Sequence, residues 1–196
     1  MEDVKAGTVE NWEACEMFAD QVTEFAEFLD YKEFTKDLFS SNGSNSGGIK
    51  ICSGIAIYYE NPDGRAVVRG RVDIGFGTAG LKSTSMQDEE YRTPTGRYDL
   101  GLKLMRDYYE EDSLVEREEE GPWTKAVVML GDGIGTTLSA FILDTERDFM
   151  IKLVMEGLNA DRGDVSWTVT EAADHFREVT MVNAYQAMAD RYDETH

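Results

Sequence analysis

Proline, histidine and cysteine are scarce in this chain of 196 residues, at three, two and two. Cys15 and Cys52 stand far apart and form no C-x-x-C, so the chain lacks the cysteine framework of a stapled miniature domain or a zinc site, although one bridge is open to it. Both read as ordinary thiols, Cys15 as filler on an apolar helix stripe and Cys52 as part of a strand. Basic residues are short as well, 19 Lys and Arg against 39 Asp and Glu. Counterion release on nucleic acid needs clustered cations, so a basic nucleic-acid-binding surface is excluded. No run of about 18 apolar residues exists, and hence no helical membrane span is expected. The start MEDVKAGTVENWEACEMF has no basic stretch leading into an apolar core. As written the chain reads as cytoplasmic, or as periplasmic if a signal peptide was removed ahead of this Met1. The acids show no EF-hand spacing, and neither a metal nor a cofactor is expected.

What the chain does have is 41% hydrophobic and 11% aromatic residues, enough for a core at this length. The net charge of −20 is unevenly spread. Residues 1–48 carry 11 acids and 3 bases, residues 49–109 carry 8 and 9, and residues 110–196 carry 20 and 7. Acid held in two segments suits mimicry or recognition of a basic partner better than an even halophilic coat.

Phe18, Val22, Phe25 and Leu29 recur at helical spacing, with Trp12 and Cys15 extending the stripe. Residues 1–42 are therefore expected to form an amphipathic helical segment. The Ser, Asn and Gly residues of 43–48 read as a flexible tether that makes this segment an appendage. From Ile49 the apolar period drops to two, and a hairpin is expected across Asn61-Pro-Asp-Gly64. Pro94 and Gly96 then make a defined corner in Arg92-Thr-Pro-Thr-Gly-Arg-Tyr-Asp-Leu100, leading into a strand over 97–104. Near the C-terminus a short strand is expected over 165–169. Thr168-Val-Thr-Glu171 has the form of a capping box opening a helix with Ala172, Phe176, Val179 and Val182 on one stripe. His175 lies in that helix as a surface or packed histidine.

The run IKI, AIYYENPDG, VDIGFG and TPTGRY, followed by Ala126-Val-Val-Met-Leu-Gly-Asp132 and Gly133-Ile-Gly-Thr-Thr137, resembles the L,D-transpeptidase (YkuD-type) catalytic domain. The resemblance covers about residues 49–158. It implies an α+β fold whose β-rich sheet domain carries added N-terminal and C-terminal helices, the latter in residues 159–196. It also implies a helix after Asp144, and a groove floored by Thr93, Thr95, Gly96, Arg97 and Tyr98 and lined by Leu130, Gly131, Asp132, Gly135 and Thr136. That family attacks with a Cys activated by a His. Here the matching positions read Gly135-Thr136 and Leu130-Gly131, so neither group carries over. Thr136 and Thr137 are the weak remaining hydroxyl candidates. An acidic lid or partner surface is expected at Glu110, Glu111, Asp112, Glu118, Glu119 and Glu120.

Three functions are compatible with this reading. The first is a non-catalytic transpeptidase-like protein that binds a peptidoglycan peptide or regulates a cell-wall enzyme. The second is an acidic inhibitor or immunity-type protein that binds a basic partner or mimics nucleic acid. The third is a peptidoglycan-acting enzyme with altered chemistry.

Overall fold

The computed structural model describes residues 12–29, 39–42, 49–60, 66–78, 92–109, 112–133, 135–157 and 167–195. Among them, seven strands form one antiparallel sheet: β1 (Phe39–Asn42), β2 (Lys50–Glu60), β3 (Ala66–Thr78), β4 (Val115–Glu118), β5 (Lys125–Gly133), β6 (Gly135–Asp144) and β7 (Phe149–Glu156). Their order is β1-β2-β3-β7-β6-β5-β4. Helices α1 (Ala14–Phe28) and α2 (Pro94–Tyr108) are followed near the C-terminus by α3 (Val169–His175), a π-turn (Phe176–Thr180) and α4 (Met181–Thr195). The fold is α+β.

Strand alternation gives the sheet two inner faces, each covered by different helices. On one face Cys52, Ile74, Phe76, Leu138, Ile142, Phe149, Ile151 and Leu153 meet α1 and the C-terminal helices in the larger core. On the other, Val127, Met129, Phe141, Leu143 and Met150 lie beneath Tyr98, Leu102 and Met105 of α2 and Tyr109 at its C-cap. Burying such side chains contributes about 1.5–3 kcal/mol each, and this drives the layers together.

The expected N-terminal stripe forms, with Phe18, Val22, Phe25 and Leu29 all fully buried, but the helix ends at Phe28, and residues 39–42, expected within the helical segment, are instead strand β1 paired with β2. The segment is no appendage, however. A disulfide joins Cys15 to Cys52 of β2 with the Cα atoms 4.7 Å apart, Lys50 Nζ donates to the Trp12 carbonyl at 2.7 Å, and Trp167 Nε1 donates to the Leu29 carbonyl at 2.9 Å. The two cysteines are thus not the ordinary thiols expected. The tether at 43–48 and the short strand's residues 165 and 166 lie outside the described residues, while Val169 opens α3. The Thr168–Glu171 capping box is present in both directions.

Two further expectations give way. The strand over 97–104 is instead helix α2, because Thr93 acts as N-cap, its Oγ1 accepting from Gly96 N at 3.0 Å, and Pro94 occupies the first turn. The helix expected after Asp144 is a turn followed by β7. Asp144 Oδ1 accepts from the backbone of Glu146 and Arg147, Asp148 takes φ 54°, and alternate residues from Phe149 on enter the larger core.

Candidate functional site

Helix α2 places the residues of the expected groove. At its start Thr93 and Thr95 are exposed and Gly96 is half-buried. Arg97 is 2% exposed, and its Nη1 donates to the Thr78 carbonyl at the end of β3. Burial lowers the Arg97 pKa, against a smaller raising effect of Asp148. Tyr98 is buried against Phe141, and that burial, with nearby acids, pushes its pKa up to about 12.

Gly131 and its neighbours lie at the helix's other end. A Cβ on Gly131 would come within 2.7 Å of the Tyr109 ring, so the glycine is a seat for that ring. Tyr109 donates or accepts at Ser139 Oγ, 2.9 Å away, and its pKa is raised to about 12, chiefly by burial. Fifteen residues of helix put about 22 Å between these two ends. The strands agree. Thr78, Arg97's partner, pairs with Phe149 at one end of β7, whereas Thr137 pairs with Glu156 at the other. Thr93 to Tyr98 and Leu130 to Thr136 therefore do not face each other across a groove.

The hydroxyl candidates gain no nucleophile's setting. Thr137 is fully buried. Thr136 Oγ1 donates to the exposed Asp132 Oδ1 at 2.9 Å, while Asp132's backbone N–H donates to Ser113 Oγ at 2.9 Å. These bonds brace the β5–β6 hairpin, and a carboxylate is a weak base toward an alcohol.

Of the expected acidic surface, Glu118 lies on the outermost strand of the sheet order and the other described residues flank that strand. Residues 110 and 111 lie outside the described residues, Asp112 is exposed, and all four residues of β4 are exposed at the sheet's edge. Glu116 and Glu118 point to the α2 face, where Arg106 grips Glu116 with Nε at 2.8 Å and Nη2 at 2.5 Å. That hydrogen-bonded pair lowers the Glu116 pKa. Beyond the strand, Glu119 lies 3.0 Å from Arg117 Nε and 3.8 Å from Arg177 Nη1, and Glu120 is exposed.

A second polar group was missed in the sequence reading. Arg71 and Asp73 of β3 and Lys152 and Glu156 of β7 lie on the α2 face, where alternation sets them apart from the apolar residues between them. Arg71 Nε donates to Asp73 Oδ1 at 2.8 Å, and Arg71 Nη2 to Ser53 Oγ at 3.5 Å. Lys152 Nζ stands 5.9 Å from the centre of the Phe141 ring. Burial lowers the Lys152 pKa, Asp73 and Glu156 oppose that shift, and Arg71 adds to it. The available signal was a lone Lys inside the apolar strand Phe149-Met-Ile-Lys-Leu-Val-Met-Glu156, in step with charges on β3.

Among the described residues, no cluster of three or more His, Cys, Asp or Glu could hold a metal ion, and no helix is long and apolar enough to cross a membrane. Compared with protein-family models, with curated proteins and with solved structures, the chain matches none.

Proposed function

We propose that this chain is a non-catalytic binding protein that takes up an extended basic segment of a protein partner along strand β4. The observation that carries this reading is the placement of Glu116 and Glu118 on an exposed strand at the end of the sheet order. Among the described residues β4 pairs with β5 alone, which leaves backbone donors and acceptors on its outer side for an added strand. Its exposed glutamates repel a second copy of the same edge and favour a segment of opposite charge. Arg106 and Arg117 neutralise part of the acid, so Glu118 and Glu120 are the side chains left to steer a cationic partner.

A cell-wall role is the second reading, favoured by the Cys15–Cys52 disulfide. Such bonds persist in oxidising compartments, where peptidoglycan peptides are met. It ranks second because its groove residues stand at opposite ends of α2.

The test is a nitrogen-15 NMR titration of the whole chain with a synthetic peptide of alternating lysine and valine. Amide shifts confined to β4, β5 and the adjoining turn are expected. They should disappear when alternate peptide nitrogens are methylated, and association should slow in an E118Q/E119Q/E120Q variant at low salt. Shifts spread evenly over α1 and α4, or unchanged by methylation, would show simple charge attraction and remove the edge-pairing proposal.

A further inference from the structure

The charged row between β3 and β7 plays no part in edge pairing, and its chemistry is of another kind. Arg71 lies directly opposite Glu156, Asp73 opposite Val154, and Gly75 opposite Lys152, so the four charged side chains lie along one stretch of one sheet face, in which Arg71 is held toward Asp73, the diagonal neighbour of Lys152. We propose that this area is a binding site for small 2-oxo acids, in which Lys152 forms an imine with the ligand's keto carbon and Arg71 holds its carboxylate.

Each part of the assignment has a residue behind it. Lys152 is half-buried on a central strand, with the Phe141 ring 5.9 Å from its nitrogen as an apolar floor. The lowered pKa of this amine leaves more of it neutral near pH 7, and only the neutral amine attacks a carbonyl. Arg71 is steadied by Asp73 through Nε and by Ser53 through Nη2, and neither bond uses Nη1. A guanidinium held in this way suits a planar carboxylate. Asp73, diagonal to Lys152 across β3 and β7, and Glu156, opposite Arg71, supply the carboxylates that carry protons.

In the reaction the Lys152 nitrogen lone pair forms a C–N bond to the keto carbon. The carbonyl π pair moves to oxygen, which takes up a proton from solvent, and the nitrogen loses one to a carboxylate, so that the final imine is protonated. The carbinolamine then expels its hydroxyl as water, using the proton returned by that carboxyl group, and the nitrogen lone pair closes the C=N bond. One water leaves, and nothing is oxidised or reduced.

The experiment treats the whole chain with pyruvate and borohydride at pH 7 and locates reduced adducts by peptide mass mapping. Lys103 and Lys125, both exposed, are internal references. Lys152 is expected to be trapped about tenfold faster than either, with a rate that saturates in pyruvate. In an R71Q variant the advantage should fall about tenfold for pyruvate and much less for acetone, which lacks the carboxylate and registers only the loss of the Arg71 charge beside the amine. A lysine that merely covers Phe141 with its stem would be trapped no faster than the references, and that result overturns the site. Equal loss with both carbonyl compounds in R71Q overturns the role of Arg71.

Discussion

Gly101 shows how two local preferences compete at one residue. On an exposed helix Gly→Ala stabilises by about 1 kcal/mol through propensity. Here a Cβ would lie 2.4 Å from Phe141 Cε1, and Phe141 is fully buried between α2 and the sheet. Overpacking of this kind costs about 1–3 kcal/mol, so G101A is predicted to be net destabilising in urea unfolding. A stabilised G101A would show that Phe141 can yield. The buried tyrosines supply a prediction in pH. Tyr98, Tyr109 and Tyr185 all have pKa values raised from 10.0 to about 12, with burial as the main cause. Between those values the unfolded chain loses phenolic protons that the folded chain keeps. Stability contributed by these groups is therefore complete below pH 10 and declines as pH rises toward 12. Denaturant midpoints measured from pH 8 upward should begin to drop near pH 10. A flat profile to pH 12 would contradict the buried placement of all three rings.

At the scale of elements, the fastening of α1 decides whether the larger core is closed. Phe18 packs on Phe76 of β3 and Phe25 on Phe176 of the π-turn, so α1 bridges the sheet and the C-terminal helices. Near its far end Glu24 Oε1 meets His175 Nε2 at 2.5 Å, with His175 stacked on Phe28 at 3.9 Å between ring centres. The Cys15–Cys52 bond closes a separation of 37 residues in the chain. In the loop-entropy account this constraint is worth about 4 kcal/mol. A C15S/C52S variant, or the parent under reductant, is predicted to lose stability of that order and to gain fast hydrogen exchange first in α1. Equal melting temperatures with and without reductant would mean that apolar packing alone holds α1.

On the scale of the whole molecule the dominant fact is a charge of −20 on 196 residues. Several acids are already paired within the fold, among them Asp193 with Arg147 and Glu116 with Arg106. The surplus repels itself, and repulsion lowers the stability of a compact state. Salt shortens the reach of that field from about 30 Å at 0.01 M to about 10 Å at 0.1 M. The melting temperature is therefore predicted to rise over this range, by roughly 2–4 °C for each 1 kcal/mol relieved. A fall would mean that the ion pairs outweigh the repulsion. Whether the same surplus serves recognition is decided by the edge-pairing titration, since solubility alone asks for no site.

The sequence by itself determined the elements whose signals are local. The α1 stripe, the alternation of β2 and β3, and the Thr168–Glu171 cap depend on neighbours within a few residues, and all three form. Tyr98, Leu102, Met105 and Tyr109 carry the same helical spacing as the α1 stripe, so α2 was also written in the chain. The Thr-Pro-Thr-Gly corner obscured it, because one set of residues serves a turn or a helix start. Tertiary structure alone decided the rest. The disulfide needed α1 to lie across β2, and the distance between Thr93 and Gly131 needed α2 to span the sheet face lengthwise. The charged row needed β3 and β7, with 70 residues of chain between Thr78 and Phe149, to become neighbours in one register. Such contacts are fixed by burial of apolar faces on both sides of one sheet. That is a cooperative property of the assembled layers, and no short stretch of residues carries it.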